Sequence, residues 1–169
     1  MYNALTVAQY LVSHSTDSNV EMTSFKVEFI TYFAHGWYLA IDGRPLISEK
    51  VKAYRHGPVI ESVHKLYGKA KSLHSVEIPG IPESIKDSDK EFLDGIMMYY
   101  GHLNELEMQA LCTDDGTPWF AAYQKSSGSL IIDDPQIKKH YRLLHVSNPE
   151  FCDLDDPISL VPVEINKRS

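Results

Sequence analysis

Cysteine is scarce in this chain: Cys112 and Cys152 are the two among 169 residues. They form no metal-type spacing and are too few for a disulfide framework, so a reducing compartment is expected. Long apolar runs are missing as well. The longest, within residues 29–41, is broken by Thr31, His35 and Gly36, so no membrane-spanning helix is expected. The start of the chain carries no basic region ahead of an apolar stretch, and no signal peptide is expected there. Together these absences predict a cytoplasmic protein. Basic residues fall short of acidic ones, 16 against 23, and the net charge of −7 argues against generic nucleic-acid affinity.

Signatures of catalysis are absent too. The sequence has no P-loop, no Gly-x-Ser-x-Gly elbow, no His-Glu-x-x-His and no Cys-x-x-Cys. Its eight histidines are scattered, and His140 and His145 lie well off a common helix face. Cys112, among leucine and alanine, reads as a small core residue. The doublets Asp114-Asp115 and Asp133-Asp134 read as helix caps rather than acid/base pairs. His56, beside Arg55 and the Gly57-Pro58 turn, is the best single candidate for chemistry, yet packing explains it as well. The expectation is a non-enzyme with no catalytic residues, no metal site and no cofactor.

What the chain does have is aromatic density and capping signals. Phe25, Phe29, Phe33 and Trp37 recur every four residues, and Tyr32 and Tyr38 widen the apolar face. Such a helix is a central one, packed on several sides. Thr23 is its expected start, with Met22 and Val27 as a hydrophobic staple. Gly43 suits its C-terminal cap, with Pro45 beyond. Asn3 opens an earlier helix carrying Leu5, Ala8, Leu11 and Val12.

Lys50 to His56 alternates as a short strand, and Pro58 suits the first turn of a following helix with Val59, Val63, Leu66 and Tyr67. Val76 and Ile78 could add a second strand. Further helices are expected after the Ser88–Glu91 capping box, after Asn104 and Glu107, and at the proline starts Thr117-Pro118 and Asp134-Pro135. The predicted fold is mainly α: six to seven short helices in a compact bundle around the aromatic helix, with a small two- or three-stranded β element. One domain spans residues 1–147, and 148–169 form an acidic, extended tail.

Two features invite a partner. Between Lys50 and Lys71, six basic residues face the single acid Glu61, giving that window +5 and leaving −12 for the rest. Lysines solvating their own elements account for it; a basic patch for an acidic partner or phosphates is the alternative. The tail runs from Glu150, Asp153, Asp155 and Asp156 into the apolar stretch 158–165. It reads either as a segment folding back along the domain or as a strand that pairs with a partner's sheet edge.

Residues 26–40 resemble the "KLQKLLYYAQGWYLA" helix of the Panacea domain, the SocA-like antitoxin family found also among phage-associated proteins. Gly43 to Leu46 and Ala53 to Val59 resemble that family's "GkPLf…eAwxyGPV" segment, in the same order. Tyr99-Tyr100-Gly101, Leu111-Cys112-Thr113 and Pro118-Trp119 resemble its looser "yyG…LTH…PW" block. Glu28 stands where the family usually has glutamine, and Cys112-Thr113 where it usually has Thr-His. Many members carry an N-terminal helix-turn-helix domain; this sequence opens directly on the core, and no such domain is expected here.

The resemblance implies a helical domain that binds and neutralises a protein toxin, commonly encoded beside it. Family partners include toxic small-alarmone-synthetase-like enzymes, and some members deliver the toxin to an ATP-dependent protease as adaptors. The expected function is therefore that of an antitoxin acting by direct contact. A proteolytic adaptor, or a nucleic-acid or phosphate module using residues 50–71, is the alternative. The expected partner-binding residues are Tyr54, Arg55, His56, Gly57, Pro58 and Val59, with Val161 and Val163 in the tail. A homo-oligomer is left open.

Overall fold

The computed structural model describes residues 1–17, 19–70, 72–73, 84–125 and 130–147. Among these, seven helices and a three-stranded sheet follow in the order α1 (Ala4–Ser15), α2 (Ser24–Ile41), β1 (Val51–Tyr54), β2 (Gly57–Ile60), α3 (Glu61–Tyr67), α4 (Asp87–Tyr100), α5 (Glu105–Thr113), α6 (Pro118–Tyr123), β3 (Ile131–Ile132) and α7 (Asp134–Val146). The mainly α class with a small β element is as the sequence predicts.

Helix α2 is the axis of the fold. Thr23 caps it by accepting from the Lys26 N–H, and Gly43 leaves it at φ +87°, a conformation glycine adopts without penalty. Val27, Phe29, Ile30, Tyr32, Phe33, Trp37 and Leu39 are all buried, so the helix is apolar around most of its circumference. Helices α1, α3, α4, α5 and α7 and strand β2 pack around it. The Trp37 indole donates to the Tyr100 hydroxyl at 2.8 Å, and Phe33 stacks on Tyr100 at 4.2 Å between centroids. The Trp37 indole N–H is thereby satisfied inside the core, whereas the buried His35 Nδ1 has no hydrogen-bond partner among the described residues.

Local signals held where side chain and backbone agree. Asn3 and Thr117 cap their helices, and Asn104 with Glu107 forms a complete capping box. Four expectations are corrected. Pro58 does not start a helix; it lies in β2, and α3 begins at Glu61. The Ser88–Glu91 capping box does not form, because α4 begins at Asp87 and Asp89 is drawn inward to the hydroxyls of Tyr2 (2.6 Å) and Tyr38 (3.1 Å). Helix α7 is capped by Asp133, not Asp134, which leaves Asp134 to bond His35 Nε2 at 3.2 Å. Phe25 is not core: it is 47% exposed in the first turn of α2. The strand proposed at Val76 and Ile78 lies outside the described residues.

The sheet order is β2-β1-β3, antiparallel throughout, with Ala53 opposite Pro58 and Val51 opposite Ile132. Ala53 donates its N–H to Leu130 O, on the β3 side. Ala53–Pro58 is therefore the non-hydrogen-bonded pair of the β1–β2 ladder, and the missing N–H of Pro58 faces outward at the sheet edge. Proline costs no ladder bond there.

Candidate partner-binding site

The β1–β2 hairpin turns through Arg55 and His56, with Tyr54 paired to Gly57. Gly57 has φ +140°, and a Cβ there would stand 2.9 Å from Phe29 Cε1, so both conformation and packing call for glycine. The tip is clamped from two sides. Trp119 Nε1 donates to Tyr54 O at 2.8 Å from α6, and Gln109 Nε2 donates to His56 O at 2.9 Å from α5. The Tyr54 hydroxyl donates to Glu61 Oε1 at 2.8 Å, and Lys52 pairs with the same carboxylate at 3.0 Å. Those bonds hold Glu61 below the usual carboxylate range and push the Tyr54 phenol up. A backbone fixed this firmly presents the side chains of Arg55 and His56 to solvent. Both are exposed, and Arg55 forms no ion pair among the described residues.

Beside the tip, the surface is apolar. Phe25 in the first turn of α2 and Leu106 in the first turn of α5 are 47% and 77% exposed. Two small cavities flank them. One, of about 130 Å³, is lined by Phe25, Phe29, His56, Glu105, Leu106 and Gln109. The other, of about 110 Å³, lies between the hairpin and α2, with Phe25, Phe29, Tyr54, Pro58 and Val59 in its walls and Glu28 and His64 beside them. Both are smaller than the roughly 300 Å³ at the lower end for small-molecule sites, and each matches single side chains of a partner.

Glu28 is the one acid of the second cavity. It is 6% exposed, and its Oε1 meets His64 Nδ1 at 2.9 Å. Burial pushes its carboxyl up, against the opposing pull of the His64 bond. The His64 ring, by contrast, is half exposed and packs edge-on to Tyr54.

Of the residues singled out from the sequence, Tyr54 is half-buried, Arg55 and His56 are exposed, and Gly57, Pro58 and Val59 are buried. The structure thus gathers six of them at one hairpin, two as projecting groups and the rest as wall and frame. Val161 and Val163 lie outside the described residues. Sequence reasoning missed Phe25, Leu106, Glu28, Gln109 and His64. The signal for Phe25 was its place in the first helical turn, where the bundle no longer covers the aromatic ladder.

Lys52 of the basic window is neutralised by Glu61, and Lys71 lies outside the described residues. Among the described residues, no group of three or more His, Cys, Asp or Glu is placed to hold a metal ion, and no helix is long and apolar enough to cross a membrane. Cys112 is fully buried and its thiol is pushed well up, so it is packing, not a nucleophile.

The family model described as antitoxin SocA-like, Panacea domain, matches residues 30–120, more than half of the chain. The chain belongs to the SocA-like Panacea family. Among relatives, it is similar to the antitoxin SocA of Caulobacter vibrioides (strain NA1000 / CB15N), with 22% identity over 164 residues, spanning 86% of this chain and 85% of that protein. No solved structure matches the chain. The Panacea match contains the whole hairpin, Leu106 and Gln109, whereas Phe25, Glu28 and Phe29 precede it and α7 follows it.

Proposed function

We infer that this protein is an antitoxin that neutralises a protein toxin by direct contact, docking it on the hairpin Tyr54–Val59 and the apolar ledge beside it. The observation that carries the reading is the juxtaposition at the tip. A backbone clamped by Trp119 and Gln109 holds exposed Arg55 and His56 next to exposed Phe25 and Leu106. Rigid polar groups beside apolar anchors and side-chain-sized cavities are the ingredients of an interface hot spot. Membership in a family whose relative is named an antitoxin supplies the biological direction. The tail, through Val161 and Val163, supplies a second contact in this reading.

The experiment is co-expression with the reading frames that flank the gene, scored for growth and co-purification together. A neighbour that is lethal alone, harmless beside this protein and retained on it at a fixed ratio supports the reading. Absence of any toxic or retained neighbour counts against it.

A further inference from the structure

We propose that the cavity between the hairpin and α2 receives a lysine or arginine side chain of the bound partner, its stem against Phe25, Phe29 and Pro58 and its cationic head on the Glu28 carboxylate. The inference rests on the reading of this face as the toxin-docking surface and specifies the chemistry that surface selects.

Three observations converge on it. The cavity is about 110 Å³, room for one side chain and too small for a metabolite. Its walls are rings and aliphatic carbons, while an acid that is 94% buried stands at its edge. The carboxylate takes one hydrogen bond among the described residues, from His64 Nδ1 to Oε1, so its second oxygen is left to bond an incoming donor.

Charge decides between occupants. A neutral apolar side chain would shut water away from a carboxylate with one bond, at the cost of an under-paired buried charge. An acidic side chain would add like-charge repulsion. A cation offsets both costs. An amphipathic side chain with a long apolar stem and charged tip fits such a lined slot.

The test uses the whole protein and simple probes: n-butylammonium and n-butylguanidinium as cations, and n-pentanol as the neutral chain of similar length. Amide shifts at Glu28, Phe29, Val59 and His64 are followed by NMR titration. The expected result is saturable binding of both cations about tenfold tighter than pentanol, with the preference lost in Glu28→Gln. Equal binding of pentanol to the wild-type protein overturns the proposal without recourse to any variant. With the co-purified toxin, Glu28→Gln should weaken affinity about tenfold or more. A toxin that requires Phe25 and Leu106 but ignores Glu28→Gln overturns this inference while docking stands. A toxin indifferent to all three overturns both.

Discussion

Gly36 of α2 lies directly beneath the ring of Tyr141 on α7: a methyl group at Gly36 would stand 2.2 Å from Cε2. The two helices approach this closely because one has no side chain at the crossing. Tyr141 is buried there, edge-on to Trp37 at 5.1 Å and to Tyr32 at 6.1 Å. Gly36→Ala is expected to destabilise by about 2–3 kcal/mol through overpacking, lowering the melting temperature by roughly 5–10 °C. A melting temperature equal to wild type would show that α7 can shift away.

Tyr100→Phe keeps the ring that stacks on Phe33 and removes the acceptor for Trp37 Nε1. Trp37 is fully buried, so the indole N–H would be left without a partner. The expected loss is about 1–3 kcal/mol, read by denaturant unfolding. A loss of the midpoint without a change in slope would identify the effect as stability and not as altered compactness.

Much of this core was legible in advance, and the reason is local. Thr23, Asn104 and Thr117 bond backbone groups three residues away, so their roles depend on little beyond the sequence around them. Pro58 was misread because a Gly-Pro start to a helix and a Gly-Pro edge strand look alike along the chain. What separates them is the pairing of Pro58 with Ala53 across the Arg55-His56 turn. Distance along the chain hid β3, since Ile131 and Ile132 become a strand through Val51 and Lys52. The strand and turn of the candidate site could be singled out from their residues, but the second strand of the hairpin was read as a helix start. The apolar ledge could not be found, because Phe25 and Leu106 have the spacing of core residues and differ only in what fails to cover them.

Glu28 links stability to function through pH. A carboxyl whose folded pKa is raised contributes stability that is complete below its unfolded value, near 4.5, and is lost as pH rises through the folded value. Burial is the cause of the rise, so ionised Glu28 opposes folding at neutral pH. Glu28→Gln should therefore melt higher than wild type at about pH 7–8, with the difference shrinking toward about pH 4. Parallel curves across that range would remove the strain assigned to this residue.

Substitutions on the exposed ledge should separate binding from folding. Leu106→Asp and Arg55→Ala touch surface positions and should change stability by no more than about 0.5 kcal/mol. Leu106→Asp is expected to cost the toxin complex about 2 kcal/mol or more, the scale of an interface hot spot. The Arg55→Ala, His56→Ala pair should weaken neutralisation at an unchanged melting temperature. If that pair unfolds the protein, the turn is structural and its side chains are not the interface.

The most direct test of the docking surface is amide hydrogen exchange on the protein alone and in complex with the co-purified toxin. The account predicts slowed exchange at residues 25–29, 54–59 and 105–109, the three segments that meet at the hairpin groove. Protection confined to α7 or the α1–α4 face, with the hairpin exchanging as it does in the free protein, would contradict it.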